Sequence, residues 1–409
     1  MNWQGADDPR LLIIDDDAAF CRLVKRVAEA EGFRVVATAD CDMFIRTARE
    51  WQPTLIVTDL NMPGTDGVEL LRDLAGDGCG AAIVIASGID GRTLDATLRL
   101  GAERGLHMAG TLHKPVPLGE LQTLVARHRP LDDAALATDL AAVLGAGTGA
   151  DVGVAGRAAG QLFLEYQPKV SCRLGRMVGV EALARWSHPR LGSIGPDRFV
   201  AVAEQRDLID ALTDWVFATA AAQAAAWHRQ GLALEVAVNV SAKNLRDIRF
   251  PDKLAAKCRE GGVDPALLTL EVTETSAMSD AVHMLDVLSR LRIKGFKLSL
   301  DDFGTGYSSL VQLRRMPFSE LKIDLSFVTA MLRDRDSRLI VEITIDLARK
   351  LGLTSVAEGV ESEALWHALQ DLGCDTVQGF HLGRPMAADR IGAAAAVHHP
   401  AADGAAAVP

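Results

Sequence analysis

The sequence has few cysteines and no hydrophobic run long enough to cross a membrane. Only six of its 409 residues are cysteine, and none of them form a CxxC pair. This excludes a disulfide-rich scaffold and a zinc finger, and it predicts reduced thiols and a cytoplasmic location. The most apolar helical stretch, 215–227, is rich in alanine and too short to span a bilayer. The first ten residues lack the apolar core of a secretory signal, so neither targeting nor membrane contact is expected.

An excess of positive charge is also missing, because the formal net charge is −11. A general nucleic-acid or membrane surface is therefore not expected, and an anionic ligand would need cations placed locally in its site. The length and the 49% hydrophobic content fit a globular chain of two or three domains.

Short apolar runs alternate with helical patterns over residues 10–130, which predicts an α/β domain with a doubly wound, parallel, five-stranded sheet. The strand candidates are LLII (11–14), VVAT (35–38), LIVT (55–58), AAIVIA (81–86) and the run ending TLHKP. Residues 131–159 are rich in alanine and glycine and are interpreted as a short helix followed by a flexible linker. A phosphate-binding loop at GAGTG is disfavoured, since no strand precedes it and no GK[ST] follows.

A longer strand and helix alternation occupies residues 160–395, and its size suits a (β/α)8 barrel of the TIM type. Residues 396–409 lack pattern and are expected to form a disordered tail. The eight strand candidates are LEYQPKV, VGVEALARW, LEVAVNVS, LLTLEVTE, KLSLDDF, ELKID, SVAEGVE and CDTVQGF.

Reactive side chains follow several strands of the first domain. Asp15, Asp16, Asp17, Asp59, Ser87 and Lys114 all stand at predicted strand ends, which meet at one edge of a parallel sheet. Clustered carboxylates favour Mg²⁺, and a lysine with a hydroxyl can bind phosphoryl oxygens. The alternative is a set of acidic loops with a capping serine.

The motifs IIDDDAA, TDLNMPGTDG, IASG and HKP resemble the receiver domain of bacterial response regulators. The resemblance implies that Asp59 accepts a phosphoryl group from a cognate sensor histidine kinase. It also implies that Asp15 and Asp16 hold Mg²⁺ and that Ser87 and Lys114 contact the phosphoryl oxygens. Thr111 stands where receivers usually carry an aromatic switch residue, so the resemblance leaves the route and the sign of signalling open.

Oxygen donors also follow the predicted barrel strands, where barrel enzymes carry their catalytic groups. They are Glu181, Asn239, Glu271, Asp301, Asp302, Asp324 and Glu358, with Lys322 among them. Carboxylate and amide oxygens select Mg²⁺ or Mn²⁺, and two such ions can hydrolyse a phosphate ester. A surface salt bridge is the alternative for any single acid.

The motifs YQPKV, EALARW, NVS, EVTET, DDFGTGYSSL, LKID, AEGVE and QGF resemble the EAL family of cyclic di-GMP phosphodiesterases. The resemblance implies two ions that share Asp301. The first is held by Glu181, Asn239, Glu271 and Asp301, and the second by Asp301, Asp302 and Glu358.

The same resemblance implies catalytic roles for Lys322, Asp324 and Glu358, with Lys322 orienting or deprotonating the attacking water. The implied contacts with the dinucleotide are Gln167, Leu183, Arg185 and Gln378. A loop at 301–308 would lie at a dimer interface, with Glu274 as its anchor. The alternative for Glu274 is an exposed acid at a strand end.

The sequence therefore predicts a homodimeric or larger response regulator in which phosphorylation controls hydrolysis of cyclic di-GMP to linear pGpG. The alternative is a non-catalytic cyclic di-GMP sensor that signals to a protein partner, and the retained site residues favour the enzyme. A transcription factor is excluded, because no helix-turn-helix or basic segment remains outside the two domains.

Overall fold

The computed structural model describes residues 9–62, 65–88, 91–128, 133–146, 161–278, 280–304 and 310–397. The chain forms two compact units that divide between Ala135 and Leu136. Over the described ranges, no helix is both long and apolar enough to cross a bilayer.

The first unit contains five main strands and a short hairpin. The strands are β1 (Arg10–Ile14), β2 (Arg34–Thr38), β3 (Leu55–Thr58), β4 (Asn61–Met62), β5 (Thr65–Asp66), β6 (Ala82–Ser87) and β7 (His107–His113). The helices are α1 (Ala18–Ala30), α2 (Cys41–Trp51), α3 (Gly67–Gly76), α4 (Gly91–Glu103) and α5 (Leu118–Arg127). The main sheet is parallel in the order β2-β1-β3-β6-β7, which confirms the predicted five-stranded fold.

Alternation along β1 explains why helices cover both faces of this sheet. Leu11 and Ile13 pack into a core that contains Phe20 of α1, whereas Leu12 and Ile14 pack into a second core with α2. Both faces of the strand are therefore buried, as in doubly wound sheets. The carboxyl ends of the strands meet at one edge, where ligand sites of this fold lie.

The second unit is a closed barrel of eight main strands. The strands are β8 (Leu162–Ser171), β9 (Met177–His188), the short β10 (Gly192–Ile194), β11 (Glu235–Asn239), β12 (Leu268–Thr273), β13 (Lys297–Phe303), β14 (Glu320–Ile323), β15 (Thr354–Ala357) and β16 (Thr376–Gln378). Strand β8 pairs with both β9 and β16 and so closes the barrel. All eight predicted strands are present, and the TIM-like fold is confirmed.

Helices surround this barrel. They are α6 (Asp133–Ala146), α7 (Pro196–Gln205), α8 (Ile209–Arg229), α9 (Phe250–Gly261), α10 (Glu274–Met278), α11 (Ala281–Ile293), α12 (Leu310–Arg315), α13 (Leu325–Ala330), α14 (Arg335–Leu351), α15 (Glu363–Asp371) and α16 (Ala388–Val397). The predicted helix in the 131–159 segment corresponds to α6, and the rest of that segment lies outside the described residues. The tail predicted for 396–409 begins too early, because α16 continues to Val397, and residues 398–409 lie outside the described residues.

The barrel departs from a uniform (β/α)8 pattern at its first strand. Strand β8 runs antiparallel to both of its neighbours. Only residues 172–176 separate it from β9, and a connection this short can join only antiparallel strands. The remaining main strands are parallel, so their carboxyl ends form a single rim.

Candidate active site

A β-bulge brings the adjacent acids Asp301 and Asp302 together at the end of β13. The pairing of β13 with β14 shifts register between Leu300 and Phe303, and Asp302 has a left-handed φ of 56°. In a regular strand neighbouring side chains point to opposite faces, and a bulge can redirect one of them. Carboxylate oxygens of Asp301, Asp302 and Glu358 consequently lie within 4.8 Å of one another.

Lys322 on β14 is the cation on which the carboxylates of the rim converge. Only 1% of this residue is exposed. Its Nζ lies 2.7 Å from Glu358, 3.0 Å from Glu271, 3.1 Å from Asp301 and 3.9 Å from Glu181. Burial alone would lower the pKa of this lysine, but the surrounding carboxylates raise it well above its usual value, so Lys322 is charged.

Glu181 on β9 is held from two sides by amide groups. Gln378 Nε2 donates to one carboxylate oxygen at 2.6 Å, and Asn239 Nδ2 donates to the other at 2.8 Å. Burial raises the pKa of Glu181, but the charge of Lys322 and these two hydrogen bonds outweigh it and lower the pKa below its ordinary value. Glu181 is therefore an ionised and oriented donor.

Glu271 on β12 is almost fully buried and meets a second lysine that the sequence did not single out. Lys169 Nζ lies 3.4 Å from Glu271 Oε1 and 2.7 Å from Glu320 Oε1, and Ser299 Oγ donates to Glu320 at 2.8 Å. Strand periodicity could have found these residues. Glu320 stands two positions before Lys322, Ser299 two before Asp301, and Lys169 two after Gln167.

The acids of the rim outnumber its cations. Burial is the main factor that raises the pKa of Glu358 to about 7 and of Asp302 to about 6, and it raises the pKa of Glu271. Carboxylates packed this closely can all be ionised only if further positive charge lies beside them. Their donor atoms are oxygens, which match Mg²⁺ or Mn²⁺, so the residues present fit a divalent-metal site.

The residues expected to contact a dinucleotide lie on neighbouring strands. Gln167 on β8 accepts a hydrogen bond from Gln378 Nε2 at 3.0 Å. Arg185 on β9 pairs with Glu165 at 2.8 Å, and Leu183 on the same strand is half-buried.

Asp324 is the N-cap of α13. Its carboxylate accepts a hydrogen bond from the backbone of Ser326 at 2.9 Å, and its charge contributes to the raised pKa of nearby Asp302. The structure therefore gives this acid a local capping contact at the rim.

Glu274 directly follows β12 and is only 2% exposed, so the exposed-acid alternative is wrong. Its Oε2 accepts a hydrogen bond from the backbone N of Gly304 at 2.9 Å. Its other carboxylate oxygen is buried without a partner among the described residues. The predicted loop at 301–308 is described only as far as Gly304, and the remainder lies outside the described residues.

A separate acidic cluster occupies the carboxyl edge of the sheet in the first unit. Carboxylate oxygens of Asp15, Asp16 and Asp59 lie within 4.8 Å of one another. Lys114 Nζ lies 2.6 Å from both Asp15 and Asp59, and Ser87 is fully buried at the end of β6. The five residues to which the resemblance assigns roles therefore share one edge, and the carboxylate oxygens of the three aspartates suit a hard cation such as Mg²⁺.

Three further residues of the first unit bear on the expectations for this site. Asp17, which extends the acidic run in sequence, caps α1 by accepting from the backbone N of Ala19 at 2.7 Å. Phe20 lies beneath Lys114, with the amino group 4.8 Å from the ring centroid, and sequence inspection missed this cation–π contact. Thr111 is half-buried on β7.

Comparison with known families gives a match for each unit. The EAL domain model matches residues 154–385, and the response regulator receiver domain model matches residues 11–126.

Two relatives come from Pseudomonas aeruginosa. The cyclic di-GMP phosphodiesterase RocR is 34% identical over 336 residues, which cover 81% of this chain and 84% of RocR. The bifunctional diguanylate cyclase/cyclic di-GMP phosphodiesterase MucR is 45% identical over 232 residues. That match covers 56% of this chain but only 34% of MucR.

A solved structure, the PaMucR phosphodiesterase in complex with c-di-GMP, superposes with a TM-score of 0.58 at 42% identity. The match covers 63% of this chain and 99% of that one.

Proposed function

Since the chain belongs to the EAL domain family and carries a receiver domain, we propose that it hydrolyses cyclic di-GMP. The observation that carries this proposal is the convergence of four rim carboxylates on the buried Lys322. The names of RocR and of the PaMucR complex support the choice of substrate. The product is the linear dinucleotide pGpG, because opening one phosphodiester linkage of the ring leaves the other intact.

The proposal includes two divalent ions, Mg²⁺ or Mn²⁺, held by the oxygen donors of the rim. Bound ions would activate water and stabilise the charge that develops on the phosphate. We assign the following residues to them: Glu181, Asn239, Glu271, Asp301, Asp302 and Glu358. Asp301, beside the bulge, is the shared member.

Lys322 acts on the attacking water in this proposal. Its ammonium is fixed by four carboxylates and cannot move far, so it can orient the water and stabilise negative charge near the phosphate. Glu358 lies 2.7 Å from this lysine and is also assigned to a metal ion, so it would hold the lysine and the ion beside the same water. Asp324 lies beside them as a further acid.

Recognition of the nucleotide is assigned to Gln167, Leu183, Arg185 and Gln378. Arg185 supplies positive charge to a polyanionic substrate in a chain whose net charge is −11. Gln378 already bonds Glu181 and Gln167, so it can couple the position of the substrate to that of a metal ligand.

We propose that Asp59 accepts a phosphoryl group from a sensor histidine kinase. In this proposal Asp15 and Asp16 hold Mg²⁺ at the same edge, and Lys114 and Ser87 bind the phosphoryl oxygens. Lys114 already bridges Asp15 and Asp59 at 2.6 Å, which supports a role in neutralising added charge.

Control of the barrel is proposed to run through a homodimer, or a larger assembly, formed by the barrel domain. Glu274 fixes the beginning of the 301–308 loop through Gly304, next to Asp301 and Asp302. A change in that loop would therefore reach the metal site directly. The test is hydrolysis of cyclic di-GMP by the full chain with Mg²⁺, with and without a small-molecule phosphodonor.

A further inference from the structure

Glu271 lies between two buried lysines that approach it from different sides. Lys322 contacts Oε2 at 3.0 Å, and Lys169 lies 3.4 Å from Oε1. Lys169 is 5% exposed and Glu271 is 1% exposed, so water screens these charges little. Two cations on opposite oxygens fix the rotation of this carboxylate and offset part of the cost of burying its charge.

A second carboxylate holds Lys169 on the side away from the metal-binding rim. Its ammonium lies 2.7 Å from Glu320, which accepts a hydrogen bond from Ser299 at 2.8 Å. These contacts form a polar chain through the barrel interior, from the first residues of β14 to the metal-binding rim. The chain is built by the inward-facing positions of adjacent strands.

We propose that Lys169 is a positioning residue, which orients Glu271 and balances its charge so that the carboxylate can bind a divalent ion. The inference rests on the proposed function only in taking Glu271 as a metal ligand. Lys169 acts through Glu271, because the contacts of its ammonium are with Glu271 and Glu320. Partners that orient a ligand in this way typically contribute about 10–100-fold to metal affinity.

A cavity of about 750 Å³ makes this proposal testable by chemical rescue. It lies at the amino-terminal ends of the barrel strands, opposite the metal-binding rim, and Lys169, Glu320, Thr269, Ser319 and Thr354 are among its lining residues. Replacing Lys169 with alanine would leave a space that adjoins this cavity. A small alkylammonium ion could then enter and supply the missing positive charge.

The primary measurement is calorimetric titration of the full chain with Mn²⁺ in the absence of nucleotide. Every protein carries Asp15→Asn, so that the acidic cluster of the first unit does not contribute. We expect Lys169→Ala to weaken Mn²⁺ binding by about tenfold or more. Lys297→Ala is the matched control, because it removes a partly exposed lysine that lines the same cavity and pairs with Glu235. The Mn²⁺ affinity of this variant should be unchanged.

Ethylammonium should restore most of the Mn²⁺ affinity of Lys169→Ala. It should not restore that of Lys169→Met, whose side chain fills the space without charge. Rescue also shows that the alanine variant is folded, and Lys169→Met provides a second variant if the first is unstable. Unchanged Mn²⁺ affinity in both variants, or a loss that ethylammonium restores equally in both or in neither, would overturn the proposal.

A failure of the proposed hydrolysis of cyclic di-GMP would give a different result from a failure of the Lys169 assignment. If the wild-type chain binds Mn²⁺ but leaves cyclic di-GMP intact, the proposed activity is wrong. The assignment of Lys169 is then still decided by the metal titration, since that titration contains no nucleotide.

Discussion

Lys322 on β14 and Glu358, which directly follows the neighbouring strand β15, form an ion pair of 2.7 Å. It is the shortest contact of this lysine with the rim carboxylates. The pair places a fixed positive charge beside the acids that we assign to the metals. The predictions below separate the role of the lysine from that of the carboxylates.

Loss of a carboxylate should abolish turnover. Asp301→Ala or Glu181→Ala should reduce hydrolysis by about 10³-fold or more, because each removes several kcal/mol of electrostatic stabilisation from the transition state. The measurement is the initial rate of cyclic di-GMP loss at saturating Mg²⁺. Glu235→Ala is the control, since that partly exposed acid pairs with Lys297 at the opposite end of the barrel. A near wild-type rate for Asp301→Ala would remove Asp301 from the site.

Loss of Lys322 should act on the chemical step. Lys322→Ala should lower kcat by about 10²-fold or more while changing KM little, because the proposed partner of the lysine is the attacking water. Steady-state kinetics separate the two parameters, and thermal unfolding checks that the buried substitution leaves the protein folded. A rise in KM at unchanged kcat would move Lys322 to substrate binding.

Glu274 should support the metal site without binding a metal. Glu274→Ala removes the acceptor for Gly304 N and should lower both Mg²⁺ affinity and turnover, whereas Glu274→Gln keeps an acceptor oxygen and should be milder. Activity as a function of Mg²⁺ concentration measures both effects. If Glu274→Ala keeps its turnover, Mg²⁺ dependence and phosphodonor response, regulation must run through the 131–160 connector instead.

Asp59 should carry the response to phosphorylation. Asp59→Asn should abolish the change in rate caused by a small-molecule phosphodonor and leave basal hydrolysis measurable, because the substituted amide cannot be phosphorylated. Mass spectrometry of the intact protein detects the added phosphoryl group. Asp73→Asn, at an exposed acid on α3, should respond as the wild type does. A persistent response in Asp59→Asn would assign the phosphoacceptor elsewhere.

Both folds could be predicted from the sequence because their patterns are strongly periodic. Fully apolar runs such as LLII fit buried parallel strands, and acids at strand ends mark the functional edge. The antiparallel direction of β8 was missed, since eight strand-like segments suggested a uniform barrel. The short 172–176 connection was the available signal.

The bulge at Asp302 could not be predicted from local sequence. A left-handed φ at a non-glycine residue depends on the surrounding pairing of β13 and β14. Lys169 and Glu320 were missed for a different reason. Lys169 is buried and Glu320 is half-buried, and only the two-residue periodicity that links them to Gln167 and Lys322 reveals that they point into the barrel interior.

The most direct test of the account is hydrolysis by the purified full chain. The chain is incubated with cyclic di-GMP in Mg²⁺, in Mn²⁺ and in a metal chelator, and the nucleotides are separated by chromatography. The account predicts conversion to linear pGpG in either metal and none in the chelator. Tight binding of cyclic di-GMP without conversion in either metal would contradict it and would favour a nucleotide sensor.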